Sequence, residues 1–341
     1  MPILVIRQTV ALLAMALVQA ALLAAPVRAQ DAGPYAPTSI PLRIEKVGEQ
    51  PIHFSIASTG VPGSVNEGNT SNAGFVITSD GVVVFDALGT PSLGWALLRE
   101  IRKLTDKPVK YVVVSHYHAD HIYGLQAFKD HTSALIVAHE RALEYDENDE
   151  TADEKASERL RQRRAALSPW VDRNTRIVKP DIVFKERMTI SLGEKRFVLR
   201  SAGPAHAASD ILMLVEPDRV LFAGDIVQNG RIPFMNSDDV DTASWLRACE
   251  EVTAARPSFV IPGHGMPSAV AKQAIDFTRT YINYVRNSLR PAVAGWLDFE
   301  QAYKDVDWSS YQSLPAFGDN NRGNAYRIFL ELEREQLRGA P

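Results

Sequence analysis

The sequence predicts an α/β fold in which two mixed sheets are covered by helices, and three observations lead to it. Short apolar runs recur in both halves of the chain, with helical spacings between them. One run, Tyr111–Val114, is wholly apolar and stops at a cluster of polar residues, as a central strand buried on both faces does. Later runs end beside Gly or Pro just before a His or Asp, where the backbone turns sharply and delivers a side chain to a shared edge.

From about Pro41 the pattern is that of strands. Ile52–Ile56 alternates, and Gly74–Ile77 with Val82–Phe85 flank the turn Ser79-Asp80-Gly81 as a hairpin. Helical spacing runs from Pro91 to about Leu104, and beyond Tyr111–Val114 a further strand is expected at Ala134–Ala138. Arg141–Ala166 reads as a charged helical insertion with a solvated face, acidic from Glu144 to Glu154 and basic from Arg159 to Arg164. Hairpins then pair Met188–Leu192 with Arg196–Leu199 around Gly193, and Ile211–Val215 with Val220–Phe222 around Pro217-Asp218. A helix near Ala243–Thr253 leads to the strand Phe259–Ile261, and helical segments at Ala269–Leu289 and Gly323–Leu337 form a C-terminal cap. No repeat or low-complexity linker interrupts this series, so the expected organisation is a leader at 1–29, one catalytic domain at 41–265 and a helical extension at 266–341.

Composition narrows the function. The 341 residues are 45% hydrophobic and 23% charged, values that support a sizeable buried core. Net charge is -4, and no Lys/Arg-rich block is followed by stacking aromatics, so the footprint of a nucleic-acid binder is missing and a small neutral or anionic substrate fits better. Arg7, an apolar run from Val10 to Ala25 broken only by Gln19, and Val27-Arg28-Ala29 together read as a secretory signal peptide cut before Gln30. The alternative is an uncleaved anchor, but a run of ~16 residues is short of the ~20 a spanning helix needs. A periplasmic or secreted protein without a stable membrane span is therefore expected, its oligomeric state unspecified. The single cysteine, Cys249, excludes an internal disulfide and reads as a small buried hydrophobe in the helical pattern of Trp245, Leu246 and Val252.

Chemistry concentrates at the end of the buried run. In Ser115-His116-Tyr117-His118-Ala119-Asp120-His121 two His one residue apart point the same way if extended, and Asp120 and His121 approach from the turn that follows. Imidazole and carboxylate suit Zn²⁺, and also Mn²⁺ or Fe²⁺. Four ligands cannot fill two metal shells, and three more candidates stand after strands: His206 in Gly203-Pro-Ala-His, Asp225 in Leu221-Phe-Ala-Gly-Asp and His264 in Ile261-Pro-Gly-His. Asp225, between two shells, is the natural bridging carboxylate. His53, His131 and His139 stand alone and read as ordinary core or surface residues, and Tyr117 and Tyr123 as packing residues.

The pattern H-x-H-x-D-H, with a spaced His, a Gly-Asp and a Gly-His downstream, resembles the metallo-β-lactamase superfamily over about Asn72 to Gly265. That resemblance implies a four-layer αββα sandwich with the site along one edge. It also implies one metal on His116, His118 and His206, a second on Asp120, His121 and His264, and Asp225 with a water or hydroxide between them. Asp86 would support the first motif from behind its metal ligands. The function implied is a dinuclear zinc hydrolase, two Zn²⁺ per chain, whose bridging hydroxide attacks an ester, lactone, thioester or amide while Asp120 orients it. The tail motif Asn321-Arg-Gly-Asn-Ala-Tyr326 is similar to exported SoxH-like and quinoprotein-associated zinc hydrolases.

Three other readings use the same residues. A β-lactamase is compatible with export and with Gly203-Pro-Ala-His206, although many dedicated β-lactamases place Cys or Ser at the second-metal position. An iron-dependent sulfur dioxygenase uses the same ligand types with a single Fe, but the segment after Asp225 lacks the Cys and Arg pattern expected there. A binding protein with a relic site is opposed by seven filled ligand positions. The loops Val61–Asn72 and Gln228–Asp239 are the candidates to shape the substrate pocket.

Overall fold

The computed structural model describes residues 33–144, 154–235 and 237–339, with the backbone alone at 154–159. Met1–Pro37 and Thr38–Pro341 are separate units; the described part of the first, residues 33–37, carries no helix or strand. The expected leader, Met1–Ala29, lies outside the described residues, as does the middle of the charged insertion, 145–153.

Seven strands make the first sheet of the second unit, side by side in chain order: β1 (Arg43–Lys46), β2 (Ile52–Ile56), β3 (Gly74–Ile77), β4 (Val82–Phe85), β5 (Val109–Val113), β6 (Leu135–His139) and β7 (Ile182–Phe184). β1 to β4 form an antiparallel meander, whereas β4 to β7 are parallel. Parallel neighbours need crossovers, which here are helical. Between β4 and β5 runs α1 (Pro91–Leu104), started by Pro91 and by the Thr90 hydroxyl, which accepts the Leu93 N–H at 3.1 Å. Between β5 and β6 lie α2 (Ala119–Ile122) and α3 (Leu125–His131). The helix of the charged insertion, α4 (Glu154–Leu167), precedes β7.

The second sheet has β8 (Arg187–Leu192), β9 (Lys195–Ser201), β10 (Ile211–Glu216) and β11 (Val220–Phe222) antiparallel in sequence. After a two-residue strand β12 (Gln228–Asn229) and α5 (Thr242–Ala254), β13 (Phe259–Ile261) joins β11 in parallel. β14 (His264–Gly265) then pairs with β12, placing His264 opposite Gln228. Three helices end the chain: α6 (Ala271–Ala294), α7 (Phe299–Asp305) and α8 (Phe317–Gly339).

The layering follows from the two-residue period of the strands. Val83 and Phe85 of β4, Val113 of β5 and Val137 of β6 face Phe197, Met213, Val215 and Phe222 of the second sheet, and the Phe85 and Phe222 rings meet at 5.3 Å. Their chain neighbours Val82, Val84, Val112 and Ile136 point to the opposite side, against Leu93, Leu97 and Phe128 of the helices. On the second sheet Leu212, Leu221 and Val260 likewise turn outward, against Trp245, Cys249, Ile282 and Ile328. Helix, sheet, sheet and helix thus stack in four layers, the αββα arrangement expected.

Helix α8 begins before Gly323, the start expected from the sequence, because Asn320 and Asn324 on either side of that glycine are fixed by hydrogen bonds to the loop after Asp225. Edge strand β7 was not expected, and β1 falls within the strand pattern expected from about Pro41 without having been given bounds of its own; both are short and half exposed, so they lack a clear period. Tyr117 and Tyr123 are packing residues, the Tyr117 hydroxyl donating to Val178 O at 2.8 Å. Among the described residues no helix is long and apolar enough to cross a membrane.

Phe222→Ala is expected to cost about 3–5 kcal/mol of stability, read as a lowered urea midpoint, because a buried ring is lost from between the sheets. Burial pushes the Cys249 thiol up to about 12. At pH 8 it therefore stays protonated, and a disulfide reagent is expected to leave the native protein unlabelled but to modify one thiol per chain after unfolding.

Candidate metal centre

Strand ends of both sheets meet at one edge. β5 stops at Val113, and the extended chain after it carries His116 and His118; α2 then starts and turns Asp120 and His121 towards the same point. His206 follows β9, Asp225 sits in the single turn after β11, and His264 follows β13. Asn72 holds the two halves of this edge together: its side-chain amide donates to Pro262 O at 3.0 Å and Gly265 O at 2.8 Å, and its backbone N–H to Gly263 O at 2.7 Å. Gly263 is required by space, since a Cβ there would lie 2.0 Å from Asp225 Oδ1. Likewise a Cβ on Gly94 of α1 would meet Gly124 O at 2.3 Å, so only glycine lets α1 lie against the turn that ends the His-rich motif.

All seven residues singled out from the sequence come together. Ligand atoms of His116, His118 and His206 form one group, those of Asp120, His121 and His264 another, and those of His116, His121 and Asp225 a third, each with its atoms within 4.8 Å of one another. His118 Nδ1 and His206 Nε2 are 3.0 Å apart. Asp225 touches both sides: Oδ1 is 3.3 Å from His121 Nε2, and Oδ2 is 3.2 Å from both His206 Nε2 and His264 Nε2. Asp120 Oδ2 lies 3.3 Å from His264 Nε2.

The outer ring nitrogens show what the inner ones are prepared for. His264 Nδ1–H donates to Thr70 O at 2.6 Å and His206 Nδ1–H to Phe234 O at 3.1 Å. Carbonyls only accept, so both Nε2 atoms carry lone pairs directed inward. His121 Nδ1 is 2.9 Å from Asp86 Oδ2, whose other oxygen accepts the Ser115 N–H at 2.7 Å, and His116 Nδ1 is 2.9 Å from Ser115 Oγ. The arrangement leaves His116 Nε2, His121 Nε2 and Asp225 Oδ1 buried without a hydrogen-bond partner. Buried polar atoms are rarely left so. Inward-facing imidazole and carboxylate donors, fixed from behind and otherwise unsatisfied, fit divalent cations.

The buried groups of the cluster act strongly on one another. Burial would lower the His121 pKa, yet the carboxylates of Asp86, Asp120 and Asp225 hold it well above the usual range. Burial would raise Asp225, yet His264, His206 and His121 hold it well below. Burial, aided by its His neighbours, lowers His116 and favours its neutral form. Trp245 steadies His206 from one side, its ring 5.2 Å away and its Nε1–H donated to Ile226 O at 3.0 Å.

A cavity of about 320 Å³ opens on His118, Asp120, His206, Asp225 and His264. Both loops expected to shape it do so, through Val61 and Pro62 on one side and Arg231 and Phe234 on the other. Two contributions were not expected. Arg163 of α4 lines the cavity, so the charged insertion is not simply a solvated face; Asp319 and Asn320 of α8 line it as well. The loop carrying Arg231 is pegged to the C-terminal segment: Ile232 N–H donates to Pro315 O at 3.0 Å, and the amides of Asn320 and Asn324 donate to Ile232 O and Pro233 O at 3.1 and 2.7 Å. His53, His131 and His139 lie apart, in ring contacts with Phe75, Trp95 and Phe184.

Residues 67–264 match the family described as Metallo-beta-lactamase superfamily. An acyl-coenzyme A thioesterase of Gallus gallus is 30% identical over 212 residues, 58% of this chain and 73% of its own length. A linear primary-alkylsulfatase of Pseudomonas sp. is 21% identical over 239 residues, 61% of this chain but only 44% of that longer protein. Among solved structures, a stereoselective inverting sec-alkylsulfatase from Pseudomonas sp. is similar in fold, with TM-score 0.64 and 16% identity over 88% of this chain and 51% of that one.

Asp86→Ala removes the acceptor that aims His121 and caps Ser115 N–H. Its divalent-cation affinity, measured by chelator competition, is expected to fall about 10–100-fold.

Proposed function

Because the chain belongs to the metallo-beta-lactamase superfamily, we propose that it is an exported, dinuclear zinc-dependent hydrolase acting on an ester-type bond: carboxylic ester, lactone, thioester or sulfate ester. One observation carries the metal-dependent part. His116 Nε2 is buried with no hydrogen-bond partner, and His121 Nε2 and Asp225 Oδ1 face each other at 3.3 Å without a well-formed bond, while the outer nitrogens of the rings around them are anchored.

His116, His118 and His206 would hold one cation, Asp120, His121 and His264 the other, and Asp225 would serve both. Cations so held would supply Lewis acidity towards the substrate oxygen and a lowered pKa for the attacking water. Asp120 borders the cavity, where its carboxylate would orient the attacking water. Val61, Pro62 and Phe234 wall the reacting bond with apolar surface. Cys249 takes no part, being buried in the outer helical layer. The relatives named as thioesterase and alkylsulfatase support an ester-type substrate.

Export rests on the sequence of Met1–Ala29, with Arg7, the run Val10–Ala25 and the small residue before Gln30. Edman sequencing of the protein recovered outside the cytoplasm is expected to begin at Gln30.

Purified enzyme is expected to hold two zinc per chain by elemental analysis, and a screen of phenyl acetate, a lactone, a thioester and an alkyl sulfate to find turnover that chelation abolishes and Zn²⁺ restores. His118→Ala should lose one equivalent and at least about a hundredfold in kcat/KM. Full turnover after metal removal would overturn the reading.

A further inference from the structure

We propose that the cavity beside the metal centre recognises a substrate by an anionic oxygen group, carboxylate or sulfate, held by Arg231 with help from Arg163. The proposal rests on the hydrolase reading for its chemistry and on the following observations for its geometry.

Arg231 lines the cavity yet is only 4% exposed. Its Nε is buried without a hydrogen-bond partner, and among the described residues its guanidinium makes no ion pair within 4.0 Å. Charged side chains that are almost fully buried are normally paired, because desolvation is costly. Burial does weaken the charged form of Arg231, and Asp120, Asp225 and Asp319 support it from a distance. Two of those carboxylates belong to the metal cluster and are committed to its imidazoles. A guanidinium held in this way has donors left for a planar or tetrahedral oxyanion.

The arginine is also held still. Its neighbours Ile232 and Pro233 are fixed through Pro315, Asn320 and Asn324, so the ordering entropy of the loop is lost on folding and not on binding. Arg163 reaches the same cavity from α4, on a different part of the fold. Val61, Pro62 and Phe234 line the same cavity and offer an apolar wall for the body of the molecule. The volume, about 320 Å³, is at the small end for ligand sites. The ligand class is therefore a compact organic anion, with its scissile bond at the metals and its charged oxygens at Arg231.

The test uses the metal-loaded full chain. By calorimetry, phenylmethanesulfonate and benzoate are titrated beside the neutral isosteres phenylmethyl methyl sulfone and benzamide. At least one anion is expected to bind ten- to a hundredfold tighter than its neutral partner, and Arg231→Gln to remove that advantage while the zinc content is retained. Arg231→Lys should keep part of it and Arg163→Gln lose a smaller part, which separates charge recognition from a folding defect. Preference for benzoate identifies a carboxylate in the substrate, preference for the sulfonate a sulfate ester. An anion advantage that survives in both Arg231→Gln and Arg163→Gln, being due to the metals alone, overturns the proposal, as does the lack of any advantage in the wild type. In kinetics, the kcat/KM ratio of 4-acetoxybenzoate to phenyl acetate should fall at least tenfold in Arg231→Gln. If neither ester nor the alkyl sulfate is turned over while anion binding still depends on Arg231, the hydrolase reading fails and the anion site stands.

Discussion

Five imidazoles and two carboxylates share a few ångströms at the edge of this fold, and four of the imidazoles, His116, His121, His206 and His264, are aimed by groups outside the cluster. Asp86 shows how. It ends β4 with a positive φ of 61°, a backbone state that a short polar side chain tolerates, and from there one oxygen takes the Ser115 N–H and the other faces His121 Nδ1. One side chain thus joins the end of β4 to the end of β5 and sets the ring that follows. Thr70 and Phe234 give carbonyls to His264 and His206 in the same way, from loops of opposite halves of the chain. Without these outer contacts the rings would rotate to satisfy one another, and the inward lone pairs would be spent.

The layers beneath serve this aim. Because Val83, Phe85, Met213 and Phe222 lock the two sheets face to face, the ends of β4, β5, β9, β11 and β13 are carried to one edge in a fixed register. Close approaches then complete it, at Gly263 beside Asp225 and at Gly94 beside Gly124. The rigidity of the centre is therefore a property of the inter-sheet core, with the glycines setting how near the loops come.

Much of this was legible in the sequence, for definite reasons. Strands β4, β5, β11 and β13 are runs of branched and aromatic residues with clear ends, and the ligand-type residues stand directly after strands, beside Gly or Pro, so local pattern alone located them. What pattern could not supply was proximity between distant segments. Arg163 sits in a charge run that looks like a solvated helix, and Asp319 and Asn320 precede the segment expected to be helical, yet all three line the cavity. Arg231 left one trace: it is the only basic residue in the loop Gln228–Asp239 that was expected to shape the pocket. Its burial, and hence its meaning, depended on the C-terminal helices.

Those helices lie after residue 264, where the segment matched by the superfamily ends. They are nonetheless a wall of the cavity and the brace of its loop, through Asn320, Asn324 and Pro315. The candidate metal ligands therefore all lie inside the matched segment, whereas Asp319 and Asn320 of the cavity wall, and the brace of the Arg231 loop, lie beyond it. Exchange of the tail, by recombination in nature or by grafting in the laboratory, would reshape one wall of the cavity and loosen the loop of Arg231 while the set of candidate metal ligands stays as it is.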